Sequence, residues 1–241
     1  MHATMGIQTK EILSLLHRLG DRDIANHSQR FFKTGKGEYG EGDRFLGIRV
    51  PILRQFARKY GKIPLADALA LLASPFHEAR LLALLILVGK YAETGTSADG
   101  RKIYRAYLDH TGYINNWDLV DCSAAHIVGA HLFRRNRKPI YRLAGSKNLW
   151  ERRISILSTF FFIKRNEFSD ALAVAESLLK DPEDLIHKAA GWMLREVGKK
   201  RPAVEKGFLA KHYRRMPRTM LRYAIEKFPE AERQAYLRGS K

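Results

Sequence analysis

Ile114-Asn115-Asn116-Trp117-Asp118-Leu119-Val120-Asp121 opens a helix. Asn115 or Asn116 suits an N-cap, and Leu119, Val120 and later apolar residues follow at helical spacing. Trp117 and Asp121 are four residues apart, so their side chains share one face, one turn apart. On its own the pair reads as a packing residue and a dipole-compensating charge, the common role of such residues early in a helix. It has a second reading: an indole beside a carboxylate would hold a cation by its ring face and by its charge. The rest of the chain decides between the two.

The stretch has counterparts. Phe76-His77-Glu78-Ala79-Arg80-Leu81-Leu82-Ala83, Leu149-Trp150-Glu151-Arg152-Arg153-Ile154-Ser155-Ile156 and Leu185-Ile186-His187-Lys188-Ala189-Ala190-Gly191-Trp192 each follow a turn-like start. The copies begin at 76, 114, 149 and 185, in steps of 38, 35 and 36 residues. Two helices per unit at that period signal an α-solenoid of the HEAT type; an ordinary multi-helix domain is the alternative. Helical periods run near 52–60, 65–73, 76–93, 98–110, 116–132, 137–144, 148–164, 169–179, 184–197, 202–212, 217–227 and 229–237, and no alternating strand pattern appears. The expected fold is all-α: one HEAT-like-repeat domain over 1–241, with N-terminal helices in 8–33, a loop at 34–44 and repeats over about 45–238.

Position within each copy singles out a face. Trp117 and Arg152 stand three residues after the start of their copies, Arg153 four after, and Asp121 and Trp192 seven after. At about 100° per residue these positions fall within one arc of about 100°. Core positions are aliphatic, as at Leu119, Val120, Ile154 and Leu157, so indoles, a carboxylate and arginines on a concave face are poorly explained as packing.

Charge points to the partner. The chain has 43 Lys+Arg against 25 Asp+Glu, a net charge of +18. A protein this basic meets a polyanion, with nucleic acid ahead of an anionic membrane surface or acidic proteins. Basic residues cluster at 134–153 (Arg134, Arg135, Arg137, Lys138, Arg142, Lys147, Arg152, Arg153) and at 195–222, where ten Lys/Arg oppose Glu196 and Glu205. The longest apolar stretch, Leu81 to Val88, is too short to span a bilayer, and no secretory signal is visible. The lone Cys122 excludes disulfide frameworks and multi-cysteine zinc clusters, and fits a reducing, cytoplasmic setting. The glycines of 34–43 only weakly resemble a phosphate loop, because no GK[ST] follows and no strand precedes. Cys122 and the Ser123…His126 pair lack a third, orienting group and read as helix residues rather than nucleophilic machinery.

Asn116-Trp117-Asp118-Leu119-Val120-Asp121, Leu149-Trp150-Glu151-Arg152-Arg153 and Lys188-Ala189-Ala190-Gly191-Trp192-Met193-Leu194-Arg195-Glu196 resemble the AlkD-type DNA alkylation repair enzymes. Phe45-Leu46-Gly47-Ile48-Arg49-Val50-Pro51 and Tyr223-Ala224-Ile225-Glu226-Lys227-Phe228 are similar to family stretches near each end, so the resemblance covers roughly 25–230. It implies a monofunctional glycosylase that excises cationic N3- and N7-alkylpurines from duplex DNA in base excision repair, without flipping the base into a pocket. Carried over by motif, Asp121 is the catalytic carboxylate and Trp117 and Trp192 form an aromatic cleft. Arg153 contacts the DNA backbone, with Arg152 and Lys188 beside it. No metal or other cofactor is implied. The expected partner is alkylated duplex DNA, bound by a monomer associated with the nucleoid. The alternative is a non-enzymatic HEAT-like module that binds damaged or branched DNA.

Overall fold

Helix caps fall where short polar residues precede apolar periods. In a computed structural model, which describes residues 6–241, Asp21 accepts bonds from the Asp23 and Ile24 amides, 2.9 Å each, at the start of α2 (Arg22–Phe31). Ser97 caps α6 (Ala98–Asp109), Asn116 caps α7 (Trp117–Asp121) and Asn148 caps α10 (Leu149–Ser158). Pro51 sits at the second residue of α3 (Val50–Lys59), where its missing N–H costs little.

The chain divides into two units, one ending at Ile127 and one beginning at Val128. The first contains α1 (Ile7–Leu19), α2, α3, α4 (Leu65–Leu72), α5 (His77–Thr94), α6 and α7. Here α5 packs against α3, α4, α6 and α7. The second contains α8 (Ala130–Leu132), α9 (Lys138–Ala144), α10, α11 (Phe160–Ile163), α12 (Ser169–Ser177), α13 (Asp184–Lys200), α14 (Pro202–His212), α15 (Arg218–Ala224) and α16 (Glu230–Arg238). Here α10 packs on α13 and α13 on α15, while α9, α12 and α14 pack on those same helices. Within each unit the helices that open successive copies thus pack on one another, α5 on α7 and α10 on α13, which is how repeat helices bury their apolar faces. Among the described residues the only β-pairing is a bridge between Arg44 and Phe76, so the fold is all-α, as the periods predict. Leu119, Val120, Ile154 and Leu157 are buried in the core.

Two periods read as single helices are broken. The 116–132 period yields α7, a turn at Cys122–Ser123, a π-turn over Ala125–Gly129, and α8. Ser123 Oγ donates to the Leu119 carbonyl at 2.6 Å and also meets the Tyr107 hydroxyl at 2.9 Å. The 148–164 period breaks at Thr159, where Ser158 Oγ donates to the Ile154 carbonyl and Thr159 Oγ1 to that of Ile156, both at 2.6 Å. Hydroxyls that bond carbonyls a turn back compete with the helix ladder and bend it.

The 34–44 loop leads to a tight turn at 46–48. Gly47 has φ +84°, and a Cβ there would lie 2.0 Å from the Asp21 carbonyl oxygen, so only glycine fits. The buried Glu78 carboxylate accepts the amides of Leu46, Gly47 and Ile48 at 2.9, 2.7 and 3.2 Å. This ties the loop to the first turn of α5.

Candidate active site

Trp117 is the first residue of α7 and is half-buried; its amide donates to Asn116 Oδ1 at 2.9 Å. Its indole stacks on Phe32, with centroids 5.2 Å apart and planes 19° apart. Phe32 stacks on Phe45 at 5.0 Å, and Phe45 on the imidazole of His77 at 4.4 Å. Phe31, 56% exposed, sets its ring edge-on to Trp117 at 6.0 Å. Trp117 is therefore the outer member of an aromatic pile drawn from α2, the 34–48 segment and α5.

Against the pile, through His77, lies a buried polar network. His77 Nδ1 meets Asp43 Oδ2 at 2.8 Å and its Nε2 meets Asp118 Oδ2 at 2.7 Å. Arg80 pairs with the second oxygen of Asp43 and donates to the Ser74 carbonyl at 3.1 Å. Burial would push the imidazole toward neutrality; Asp118 and then Asp43 outweigh it and raise its pKa from 6.5 to about 9. Asp43 is held below the ordinary carboxylate range: burial opposes this, but His77 and Arg80 outweigh it. His77 is thus a doubly donating imidazolium at neutral pH.

Asp121 ends α7 and is half-buried. Its charge and that of Asp118 act on the thiol of Cys122, which burial first and these carboxylates second push far up. Cys122 donates to the Leu119 carbonyl at 3.4 Å and Ser123 is buried in its hydroxyl network. Neither is poised as a nucleophile, in line with the sequence reading. Among the described residues no group of three or more His, Cys, Asp or Glu is placed to hold a metal ion.

The second unit carries the other candidates. Trp192, half-buried on α13, donates its indole N–H to Glu196 at 3.2 Å and lies 5.9 Å from Phe160. Glu196 also accepts from Lys199 at 2.6 Å. Arg153 is 5% exposed and donates to the Leu185 carbonyl at 2.6 Å. Arg152 forks onto Asp181 at 2.6 and 3.3 Å and donates to the Ser146 and Lys147 carbonyls. Lys188 is partly exposed and pairs with Asp184 at 2.8 Å. Arg137, from the same basic run, is held by Glu167, Asp170 and the Phe133 carbonyl and lies over the Phe162 ring. These three arginines hold helices together. Among the described residues, exposed cations with no carboxylate partner include Arg134, Lys138, Arg142 and Lys147 in that run and Lys200, Arg201, Lys211, Arg218 and Arg222 further on.

A protein-family model described as "DNA alkylation repair enzyme" matches residues 12–228. The chain belongs to the DNA alkylation repair enzyme family. One solved structure, a predicted DNA alkylation repair enzyme from Enterococcus faecalis, superposes with a TM-score of 0.68 at 16% identity, covering 88% of this chain and 97% of that one. At that identity the likeness concerns the fold. No curated protein matches in sequence. A member of this family is an enzyme of alkylation DNA repair, and the Trp117–Asp121 turn lies inside the matched span.

His77, Asp43, Asp118, Phe31 and Phe32 have no counterpart in the residue-by-residue expectations. One signal for them stood in the sequence: three polar residues, His77, Glu78 and Arg80, open an otherwise apolar α5 period.

Proposed function

We propose that the protein is a monofunctional glycosylase that removes cationic N3- and N7-alkylpurines from duplex DNA, acting as a soluble cytoplasmic monomer on the nucleoid. The observation that carries this is the pairing on α7 of a rigidly stacked, half-exposed indole with a carboxylate one turn on. An alkylated purine carries positive charge and leaves as a neutral base. The electron pair of the C1′–N bond departs with it, so no general acid is required. What needs stabilising is the cationic sugar. Asp121 supplies a carboxylate for that charge, and can take the proton of the water whose oxygen adds to C1′. Trp117, and Trp192 as a second indole, hold the cationic nucleotide by cation–π contact. Phosphates are met by Lys188 and by the unpaired cations Lys200, Arg201, Lys211, Arg218 and Arg222.

The internal bonds of Arg152 and Arg153 favour a supporting role for both: Arg153 holds the start of α13, and Arg152 the turn before it. A non-enzymatic DNA-binding module is the competing reading, and Asp121 separates the two. Free base should appear from duplex DNA carrying N7-methylguanine, and Asp121→Asn should slow its release by on the order of tenfold or more with little change in duplex affinity. Binding without release would favour the module; release by Asp121→Asn at the wild-type rate would remove Asp121 from the chemistry.

A further inference from the structure

We propose that His77 is a positioning residue for the Trp117–Asp121 turn, acting through its two carboxylate bonds and through the ring stack that ends in Trp117. The inference rests on the reading of that turn as the reacting site. Its geometry is independent of that reading.

The imidazole is 2% exposed and contacts the turn by two routes. The first is polar. Nε2–H donates to Asp118, the residue between Trp117 and the body of α7, while Nδ1–H donates to Asp43, which Arg80 holds from the other side. Asp118 Oδ1 in turn accepts the Leu119 amide at 2.9 Å, so the carboxylate that binds His77 also fixes the first turn of α7. The second route is aromatic. The His77 ring lies on Phe45 at 4.4 Å and tilts against Phe32 at 5.0 Å, and Phe32 carries Trp117. A neutral imidazole has one N–H and would leave the Oδ2 of one of the two carboxylates without its donor. The doubly protonated ring satisfies both and fixes the indole plane and the start of the helix bearing Asp121.

A filler would need only shape; a positioning cation needs charge. Burial opposes the charge, while Asp118 from α7 and Asp43 from the loop before α3 supply it; on α5 itself Arg80 faces Asp43. No charged group of α3, α4 or α6, the other helices packed on α5, figures in that balance. The folded pKa, about 9, lies above the ordinary 6.5, so the contribution is complete below about 6.5 and is lost as pH rises through about 9.

The test uses the full chain labelled with 5-fluorotryptophan, the Trp117 resonance being assigned with Trp117→Phe. In the wild type its ¹⁹F shift should titrate with a midpoint near 9. His77→Gln should abolish that titration, and Asp118→Asn, which keeps the imidazole, should lower its midpoint. At pH 7.5, His77→Gln should slow single-turnover release of N7-methylguanine by on the order of tenfold while duplex affinity stays within about twofold. A Trp117 resonance flat through pH 9, or a midpoint unmoved in Asp118→Asn, would overturn the proposal even if His77→Gln failed to fold. A folded His77→Gln that excises at the wild-type rate would overturn it too. If Trp117 titrates as expected but the wild type releases no base, the positioning role stands and the glycosylase reading fails.

Discussion

Trp117 and Trp192 are the two indoles that sequence position singles out, and their surroundings differ in kind. Trp117 is the end of a four-ring pile whose inner member is an imidazolium pinned by two carboxylates. Trp192 is held by one bond to Glu196 and has one ring, Phe160, within 6 Å. Both units hold buried polar atoms without a partner among the described residues: Arg80 Nε, Asn115 Oδ1 and Asn116 Nδ2 in the first, Arg195 Nε and Glu205 Oε1 in the second. In the first unit Asp43 and His77 are mutually satisfied, with Arg80 joined to Asp43. In the second, Glu205 is 2% exposed, one of its carboxyl oxygens has no partner, and burial raises its pKa to about 8 against the pull of Arg195 and Lys206. Trp117 is held by more ring contacts than Trp192. A rigid Trp117 beside Asp121 suits the reacting centre, where misplacement is costly.

The largest expected effect strikes the pinned side. Asp43→Ala leaves Arg80 and His77 buried without their shared carboxylate, and should destabilise the protein by about 3–5 kcal/mol in urea denaturation. A loss under about 1 kcal/mol would mean the network is not held as described.

Arg153→Ala sharpens the comparison from the second unit. It leaves the Leu185 carbonyl without this donor at the start of α13 and should cost about 1–3 kcal/mol of stability. The salt dependence of duplex affinity should be unchanged. A flatter slope at unaltered stability would instead make Arg153 a phosphate contact.

Glu205→Gln probes the unsatisfied acid. Its folded pKa of about 8 exceeds the ordinary 4.5, so the acid's favourable contribution is complete below 4.5 and is lost as pH rises through about 8. The variant should be more stable than wild type at pH 9 by about 1–3 kcal/mol and little different at pH 5. Thermal denaturation at the two pH values checks this; equal Tm differences would show that the carboxyl is not kept neutral by the fold.

The smallest effects should fall on Trp192 and Lys188. Trp192→Ala should slow excision by roughly 0.5–2 kcal/mol with little loss of stability, whereas Trp117→Ala should lose both rate and stability. Lys188→Ala should reduce the slope of log affinity against log salt by about 1 and leave folding alone. Equal behaviour of the two Trp variants in denaturation would erase the contrast between them.

Much of this was legible in the sequence because it is local. Apolar spacing and the caps at Asn116 and Asn148 give the helices, and the 35–38-residue steps pick out the pairs α5–α7 and α10–α13 that pack within each unit. The pairing of Trp117 with Asp121 on one helix face is local as well. The His77 network is not: its members lie 34 and 41 residues apart, and only folding brings them together. Within the basic run at 134–153, Arg137, Arg152 and Arg153 spend hydrogen bonds on groups roughly thirty residues away, which spacing alone does not show. Net charge reports how many cations a chain has, not which are free for phosphate. The kink after Asp121 depends on where one serine hydroxyl points, which spacing does not encode.

Whether the proposed site reads the charge of a leaving purine is decided by a panel of lesions. Duplexes each carrying one lesion are incubated with excess protein and assayed for free base under single turnover. Release of N7-methylguanine and N3-methyladenine is expected, and no useful release of uracil, 1,N6-ethenoadenine or 8-oxoguanine. These neutral bases gain nothing from the indoles and leave poorly without an acid. Comparable release of neutral and cationic bases would contradict that reading of charge, even in a protein that proved to be a glycosylase.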